Sequence, residues 1–383
     1  MRVTLTSRIF SPEPAAASFR LAALADALDS DGHTVTVLTS TVPGKGAAVT
    51  RPGVTVKRRP VLRDKDGYVR GYLQYLSFDL PVFVRLLVSK TDVVVTEPPP
   101  TTGFVVRVAC AIRRIPYVYY AADIWSDAAV TTGAPAWVVS VVRWMELTAL
   151  RGASRVLSVS DGVTGRLREL GLSEGVVTIG NGIDTLQFAA DGPSRHFSGP
   201  YLLYAGTASE WHGAGIFVDA FAEVKKTVPE ATLVFLGQGA ERKQLEQAAA
   251  PLGNSAVRFE PRLPPQEVAE WLRGSASSLA SVRPGRGYDF AFPTKMYASA
   301  ACGTPVIYAG RGPGSDFAAL PDLGIAVDYN VDDVAAAMTR ALLDPPTAER
   351  RTRIAAWARE NVALGAIARK AARVVSDVRS PRS

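Results

Sequence analysis

SFRLAALADALDSDGHTVTVLTS (Ser18–Ser40) changes periodicity halfway. Its first part spaces Leu21, Leu24 and Leu28 three and four residues apart, which is one face of a helix. The pattern stops at Gly32, a residue suited to the left-handed turn that ends a helix. From Thr34 the chain becomes a short β-branched run, and a similar run, MRVTLTS, precedes the helix. Strand, helix and strand in succession make a crossover unit, which returns a parallel strand with right-handed sense.

The same alternation continues outward. DVVVTE (92–97), YVYYAAD (117–123), RVLSVS (155–160) and VVTIG (176–180) are nearly continuous apolar runs, as strands covered on both faces should be. After DTLQFAADGPSRHFSGP (184–200), rich in turn-forming residues, the pattern restarts. YLLYAG (201–206), ATLVFLG (231–237), AVRFE (256–260), ASSLASV (276–282), TPVIYAG (304–310) and GIAVD (324–328) form a second strand set. Helical stretches lie between them at 214–227, 240–250, 265–273 and 294–302, and a long Ala/Arg helical region closes the chain at 348–378. The reading is α/β: two Rossmann-like, doubly wound domains facing a cleft, with ligands at the carboxyl ends of the strands.

Composition narrows the function classes. The 383 residues suit two or three domains, and 47% hydrophobic with 21% charged residues is ordinary globular content. The net charge of +7 admits nucleic acid, an anionic membrane surface or an anionic small substrate. The arginines are scattered, and no nucleic-acid motif accompanies them, so nucleic acid is set aside. Cys110 and Cys302 lack metal spacing or a disulfide framework, which points to a reducing compartment. The three scattered histidines form no metal set, and His33 reads as the opening of a strand. MRVTLTSRIF has no signal-peptide pattern, and no apolar run is long enough to span a bilayer. RGYLQYLSFDLPVFVRLLVSK (70–90) mixes large apolar residues with Arg70, Arg85 and Lys90. It reads either as a helix covering the sheet or as an interfacial amphipathic segment. A cytoplasmic protein is expected, with a possible peripheral place at the inner face of the cell membrane.

FPTKMYASAACGTPVI (Phe292–Ile307) carries the strongest chemistry. Pro293 suits a helix start, whose free N–H groups favour a phosphate. Lys295 adds a full charge, and Thr294 is able to cap or donate. The alternative is an ordinary loop–helix–strand unit with a surface lysine.

Taken in order, several fragments resemble one family. SPEPAAASFRLAALADALDSDGHTVTVLT, AADIWSDAA, LSVSDGV, IGNGIDTLQF, SEWHGAGIFVDAF, FLGQGAERKQL and PTKMYASAACGTPVI resemble the retaining GT-B glycosyltransferases of the family-4 type. The likeness is to the bacterial polysaccharide and lipid-linked-sugar branch with a DIW-type motif, and it covers nearly the whole chain. It implies an acceptor domain at 1–183, a donor domain at 184–354 and a C-terminal helix near 355–383 that crosses back. The donor would be a nucleoside diphosphate sugar, UDP-linked, with no further cofactor. The acceptor would be a hydroxyl on a lipid-linked, polysaccharide or small-molecule partner.

Carried residue by residue, the resemblance places the diphosphate on Lys295, Pro293, Thr294, Gly206 and Thr207. Arg283 and Arg286 in RPGRG (283–287) read as replacements for positive charge that the family carries elsewhere, unless they form a solvated charge cluster. Gly237 lies near the nucleotide, and Arg262 and Leu263 grip the base. Asp123 and Trp125 face the acceptor, where Asp123 binds its hydroxyl or takes its proton, unless it serves as a helix cap. Glu13 is a second acceptor contact. Asn181-Gly182 marks the hinge.

The chain also departs from the family pattern. Phe290 and Ala298 stand where two glutamates hold sugar and ribose. Asp289 is the neighbouring substitute, and Ser299 or backbone would take the ribose. Thr207 and His212 replace an arginine and a lysine, and Pro14-Ala15 replace a Gly-Gly pair. These losses keep two alternatives open: a non-catalytic GT-B partner or sensor, and a GT-B enzyme of other chemistry such as a nucleotide-sugar epimerase.

Overall fold

The computed structural model describes residues 1–13, 15–42, 53–64, 69, 71–131, 134–285 and 288–378. Pro14, Arg70, Arg286 and Gly287 therefore lie outside the described residues. The chain forms two compact units, Met1–Asn181 with Leu364–Ser383, and Gly182–Ala363.

Unit 1 runs β1 (Arg2–Thr6), α1 (Ala16–Ser30), β2 (Thr34–Ser40), β3 (Val54–Arg59), α2 (Tyr72–Val88), β4 (Val93–Thr96), α3 (Pro100–Arg113) and β5 (Tyr117–Ala121). It continues through α4 (Trp125–Thr131), α5 (Ala136–Gly152), β6 (Arg155–Ser158), α6 (Asp161–Glu169) and β7 (Val176–Thr178). Its seven strands are all parallel, in the order β3-β2-β1-β4-β5-β6-β7. The order reverses between β1 and β4, which opens a crevice at their carboxyl ends. β4 and β5 are buried throughout, as the continuous apolar runs imply. β3 is an edge strand whose burial alternates along VTVKRR, so its signal is polar and period-two.

On α1, Leu21, Leu24 and Leu28 are buried as the helical spacing requires. Each such leucine contributes about 1.5–3 kcal/mol relative to exposure.

Unit 2 runs β8 (Tyr201–Ala205), α7 (Gly215–Thr227), β9 (Thr232–Leu236), α8 (Arg242–Ala249), β10 (Val257–Glu260), α9 (Pro265–Gly274) and β11 (Ser277–Ser281). Then come α10 (Lys295–Ala301), β12 (Val306–Ala309), α11 (Pro313–Ala318), β13 (Gly324–Val327), α12 (Val331–Leu343) and α13 (Ala348–Asn361). The six parallel strands lie in the order β10-β9-β8-β11-β12-β13, reversing between β8 and β11.

The C-terminal helical region is divided. α13 stays with unit 2, whereas α14 (Leu364–Ser376) packs on α1 of unit 1. Ala368, Ala371 and Ala372 are buried there, so small side chains bring the two helices close. Lys370 Nζ donates to Thr178 O at 2.6 Å, and His33 Nε2 lies 2.8 Å from Ser376 Oγ. Burial pushes both thiols, Cys110 and Cys302, up to about 12, which leaves them inert packing groups. Among the described residues, no helix is long and apolar enough to cross a membrane.

Candidate active site

In unit 2 the crevice at the strand-order reversal is a cavity of about 710 Å³. β8 and β9 end in Gly206 and Gly237, both at positive φ (131° and 136°). A Cβ at Gly237 would lie 2.4 Å from Gly206 O, so the two strand ends meet backbone to backbone. That leaves exposed peptide groups rather than side chains at the cavity floor.

Lys295 opens α10 and reaches across to Gly206, where a Cβ would stand 3.5 Å from its Nζ. The Nζ atom is buried, has no hydrogen-bond partner, and lies 3.6 Å from the centroid of the Tyr204 ring. Burial pulls its pKa down to about 7. The ring quadrupole gives some compensation, but an ammonium held this way still lacks an anion. α10 has only seven residues, and Thr294 makes no side-chain cap bond, so the charge at this point is the lysine's rather than the helix's.

His212 lines the cavity beside Lys295. Its Nδ1 lies 2.6 Å from Ser209 Oγ, and its ring stacks on Trp211 with centroids 3.6 Å apart. Burial, then the Lys295 charge, pushes its pKa down to about 3. It is therefore a neutral imidazole near pH 7 and brings no positive charge to the site.

Of the residues expected from sequence, Gly206, Thr207, His212, Gly237, Arg262, Leu263, Pro293, Thr294 and Lys295 line this one cavity. Three others do not. Ser299 is buried within α10, where its hydroxyl donates to Lys295 O at 3.1 Å. That bond is the usual recourse of a serine inside a helix. Arg283 is exposed, and its backbone N–H donates to Trp211 O at 2.8 Å. Asp289 sets its carbonyl against Gly312, where a Cβ would be 2.1 Å away. Sequence reading missed Trp211, Phe292, Phe188 and Ile183, which also line the cavity. The Trp-His pair in SEWHG was a legible signal for the first of these.

Unit 1 has its own polar cluster at the reversal between β1 and β4. Ser7 Oγ donates to Glu97 Oε1 at 2.5 Å, and Arg20 donates to Glu97 Oε2 at 3.1 Å and to Asn181 Oδ1 at 3.1 Å. Arg20 also covers the Tyr120 ring at 4.7 Å. Arg20 and Glu97 are both buried, a pairing that no local sequence pattern announces. Asp123 follows β5 with its side chain open to solvent. Its crowded surroundings nevertheless raise its pKa, with Arg20 opposing the shift and Glu97 adding to it. Trp125 begins α4, and its ring meets Tyr75 edge-on at 6.1 Å. Asp123 itself caps nothing there, because the α4 N–H groups of Trp125 and Ser126 go to Glu146. Glu13 is paired with Arg63 at 3.5 Å, with both side chains largely buried.

Residues 16–182 match the glycosyl transferase 4-like domain, and residues 199–344 match the glycosyl transferases group 1 domain. Glycogen synthase from Mycobacterium tuberculosis (strain H37Rv) is 30% identical over 223 residues, which are 56% of this chain and 51% of that protein. D-inositol 3-phosphate glycosyltransferase from Thermomonospora curvata is 36% identical over 125 residues, 32% of this chain and 27% of that one. The matched segment thus spans about half the length of the first relative and about a quarter of the second. Among solved structures, sucrose-phosphate synthase from Thermosynechococcus elongatus superposes with a TM-score of 0.77 at 17% identity, covering 98% of both chains. Anabaena HepE in complex with UDP superposes with a TM-score of 0.70 at 18% identity, covering 99% of this chain and 100% of that one. At such identities the likeness concerns the fold. With its first half matched by a glycosyl transferase 4-like domain, its second by a glycosyl transferases group 1 domain, and the fold shared, the chain carries the two domains of the GT-B glycosyltransferases.

Proposed function

We propose that this glycosyltransferase takes a sugar from a UDP-sugar and delivers it to an acceptor hydroxyl with retention of configuration. The observation that carries the donor reading is Lys295, a buried ammonium with no partner at the end of a cavity floored by glycine backbone. A diphosphate supplies the missing anion, and the glycines at the cavity floor let it come close to the backbone. In the transition state, charge gathers on the departing diphosphate, and a fixed cation favours it without reorganisation.

In this reading Gly206, Thr207, Pro293 and Thr294 surround the diphosphate, whereas Arg283 and Asp289, which lie outside the cavity wall, would reach the donor only from the adjoining loops, Arg283 toward the diphosphate and Asp289 toward a sugar hydroxyl. Gly237, Arg262 and Leu263 face the nucleoside. HepE structures hold UDP and UDP-glucose, which supports the choice of nucleotide. Asp123, Trp125 and Glu13 serve the acceptor, which is a lipid-linked, polysaccharide or small-molecule hydroxyl. Retention is what the family resemblance implies.

Calorimetric titration with UDP, GDP, TDP and ADP, with and without magnesium, tests the donor reading. Selective UDP binding supports it. Binding to none of the four would favour a partner or sensor that has lost its donor grip.

A further inference from the structure

A second cavity, of about 570 Å³, lies wholly within unit 1. Its size is within the roughly 300–1,000 Å³ usual for small-molecule sites. Its walls are almost entirely apolar: Tyr75 from α2, Trp125 from α4, and Trp137, Val138, Val141 and Met145 from α5. The rim is open, with Trp137 71% and Val141 47% exposed.

The apolar surface does not end at the rim. On α2, Leu73, Leu76, Leu80 and Val84 are all exposed and share one face, while Phe78, Val82 and Leu86 are buried on the other. A run of this kind beside an apolar cavity marks a binding surface rather than scattered exposure.

A cation stands beside two of the lining rings. The Arg8 guanidinium lies 5.0 Å from the Tyr75 ring centroid and 5.7 Å from that of Trp125. One of its terminal nitrogens donates to Val69 O, while its Nε is buried with no hydrogen-bond partner. Asp79, whose charge Arg8 feels, is buried and accepts from the Thr102 hydroxyl at 2.5 Å, and burial raises its pKa. The exposed carboxylate of Asp123 stands two residues before Trp125.

We infer that this cavity receives the aliphatic chain of the acceptor, so that the acceptor is an amphipathic lipid whose anionic head lies toward Arg8 and whose hydroxyl lies toward Asp123. The inference rests on the transferase reading above. An apolar channel rimmed by tryptophans suits a hydrocarbon chain, and a polysaccharide would need polar partners that these walls do not offer. A cation held against two of the lining rings orients such a molecule head-first.

The test uses the full chain and a bromine-bearing dodecyl phosphate, below its micelle concentration, as a quencher of tryptophan fluorescence. Brominated dodecanol and butyl phosphate separate the contributions of tail and head. Saturable quenching by dodecyl phosphate is expected, with no binding of butyl phosphate. Val141→Asp, at the exposed rim, should weaken dodecyl phosphate at least tenfold. Leu80→Asp, on the outer stripe, should weaken it far less. Arg8→Gln should weaken dodecyl phosphate more than dodecanol.

Circular dichroism and a UDP titration on the same samples report folding and the donor site independently. No quenching in the wild type, equal binding by Val141→Asp, or a larger loss in Leu80→Asp would each overturn the inference. A sample that binds dodecyl phosphate but no nucleotide would instead count against the donor reading alone.

Discussion

Glu146 holds Trp125 in place through the backbone. Its Oε1 accepts the Trp125 N–H at 2.7 Å and its Oε2 accepts the Ser126 N–H at 3.0 Å, from a side chain that is 1% exposed. A carboxylate on α5 thus supplies the N-terminal cap that α4 lacks in its own sequence. Replacing it with alanine leaves two buried donors unsatisfied. Glu146→Ala should cost about 1–3 kcal/mol in urea unfolding, and Glu146→Gln should cost less because one acceptor oxygen remains. An unchanged midpoint in Glu146→Ala would mean that water replaces the carboxylate.

Lys295 gives a pH prediction. Its folded pKa is about 7 against 10.5 as a free side chain, so between those values the unfolded chain binds more protons. Stability attributable to this residue should therefore rise as pH rises from about 7 toward 10.5. Lys295→Met removes a buried charge of similar shape. It should be more stable than the wild type at pH 7, on the order of a few kcal/mol, with a flatter stability–pH curve above that.

The same variant should bind UDP at least tenfold more weakly, on the order of 1.4 kcal/mol or more. In the wild type, UDP should bind the protonated lysine, so affinity should fall as pH rises above about 7. Proton uptake should appear as a buffer-dependent heat near pH 8. A heat independent of buffer would place the lysine outside the nucleotide contact.

Gly237→Ala should be among the most damaging single-methyl changes in unit 2. The new Cβ would stand 2.4 Å from Gly206 O at a backbone φ of 136°. Both neighbours are backbone, so nothing can swing aside. A clear drop in melting temperature and loss of UDP binding are expected together. Gly206→Ala offers a contrast: its Cβ meets the flexible Lys295 Cε at 3.3 Å. That variant shares the backbone strain of a positive φ (131°) but meets no backbone atom, so it should cost less stability than Gly237→Ala while also losing nucleotide affinity.

Ala371 is fully buried between α14 and α1. Ala371→Leu should destabilise unit 1 by about 1–3 kcal/mol through overpacking. UDP binding by unit 2 should survive. A native melting temperature for this variant would show that α14 is able to shift without cost.

What the sequence revealed depended on how local its physical cause was. The buried strands of both sheets were legible because a strand covered on both faces is continuously apolar, as in YVYY and ATLVFL. The edge strand Val54–Arg59 was not read, because half of its side chains are polar and face water. The two units meet in the chain at 181/182, two residues before the expected 183/184, and the second extends to Ala363 rather than 354. The tail read as one helical region, since nothing in its Ala/Arg composition marks the break between Asn361 and Leu364. Segment 70–90 was left between two readings, and α2 shows why: one face is buried and the other is apolar but exposed. In the candidate site, Lys295 was read at the mouth of a helix and the two glycines at strand ends, and the three line one cavity. Ser299 lies outside that cavity, because a hydroxyl inside a helix serves its own backbone first. Glu146, Arg20 and Glu97 were invisible, because each acts on residues at least 20 positions away.

The return of α14 to unit 1 has a consequence for how the protein is made. Unit 2 is one uninterrupted stretch, Gly182–Ala363, and all its strands are available once that stretch leaves the ribosome. Unit 1 is begun first, yet the alanine face that covers α1 arrives after the whole of unit 2. Until α14 emerges, α1 keeps an uncovered apolar flank. The half expected to choose the acceptor is therefore completed only after the half expected to hold the donor, and a ribosome stalled before Leu364 would release a chain with one finished unit and one open one.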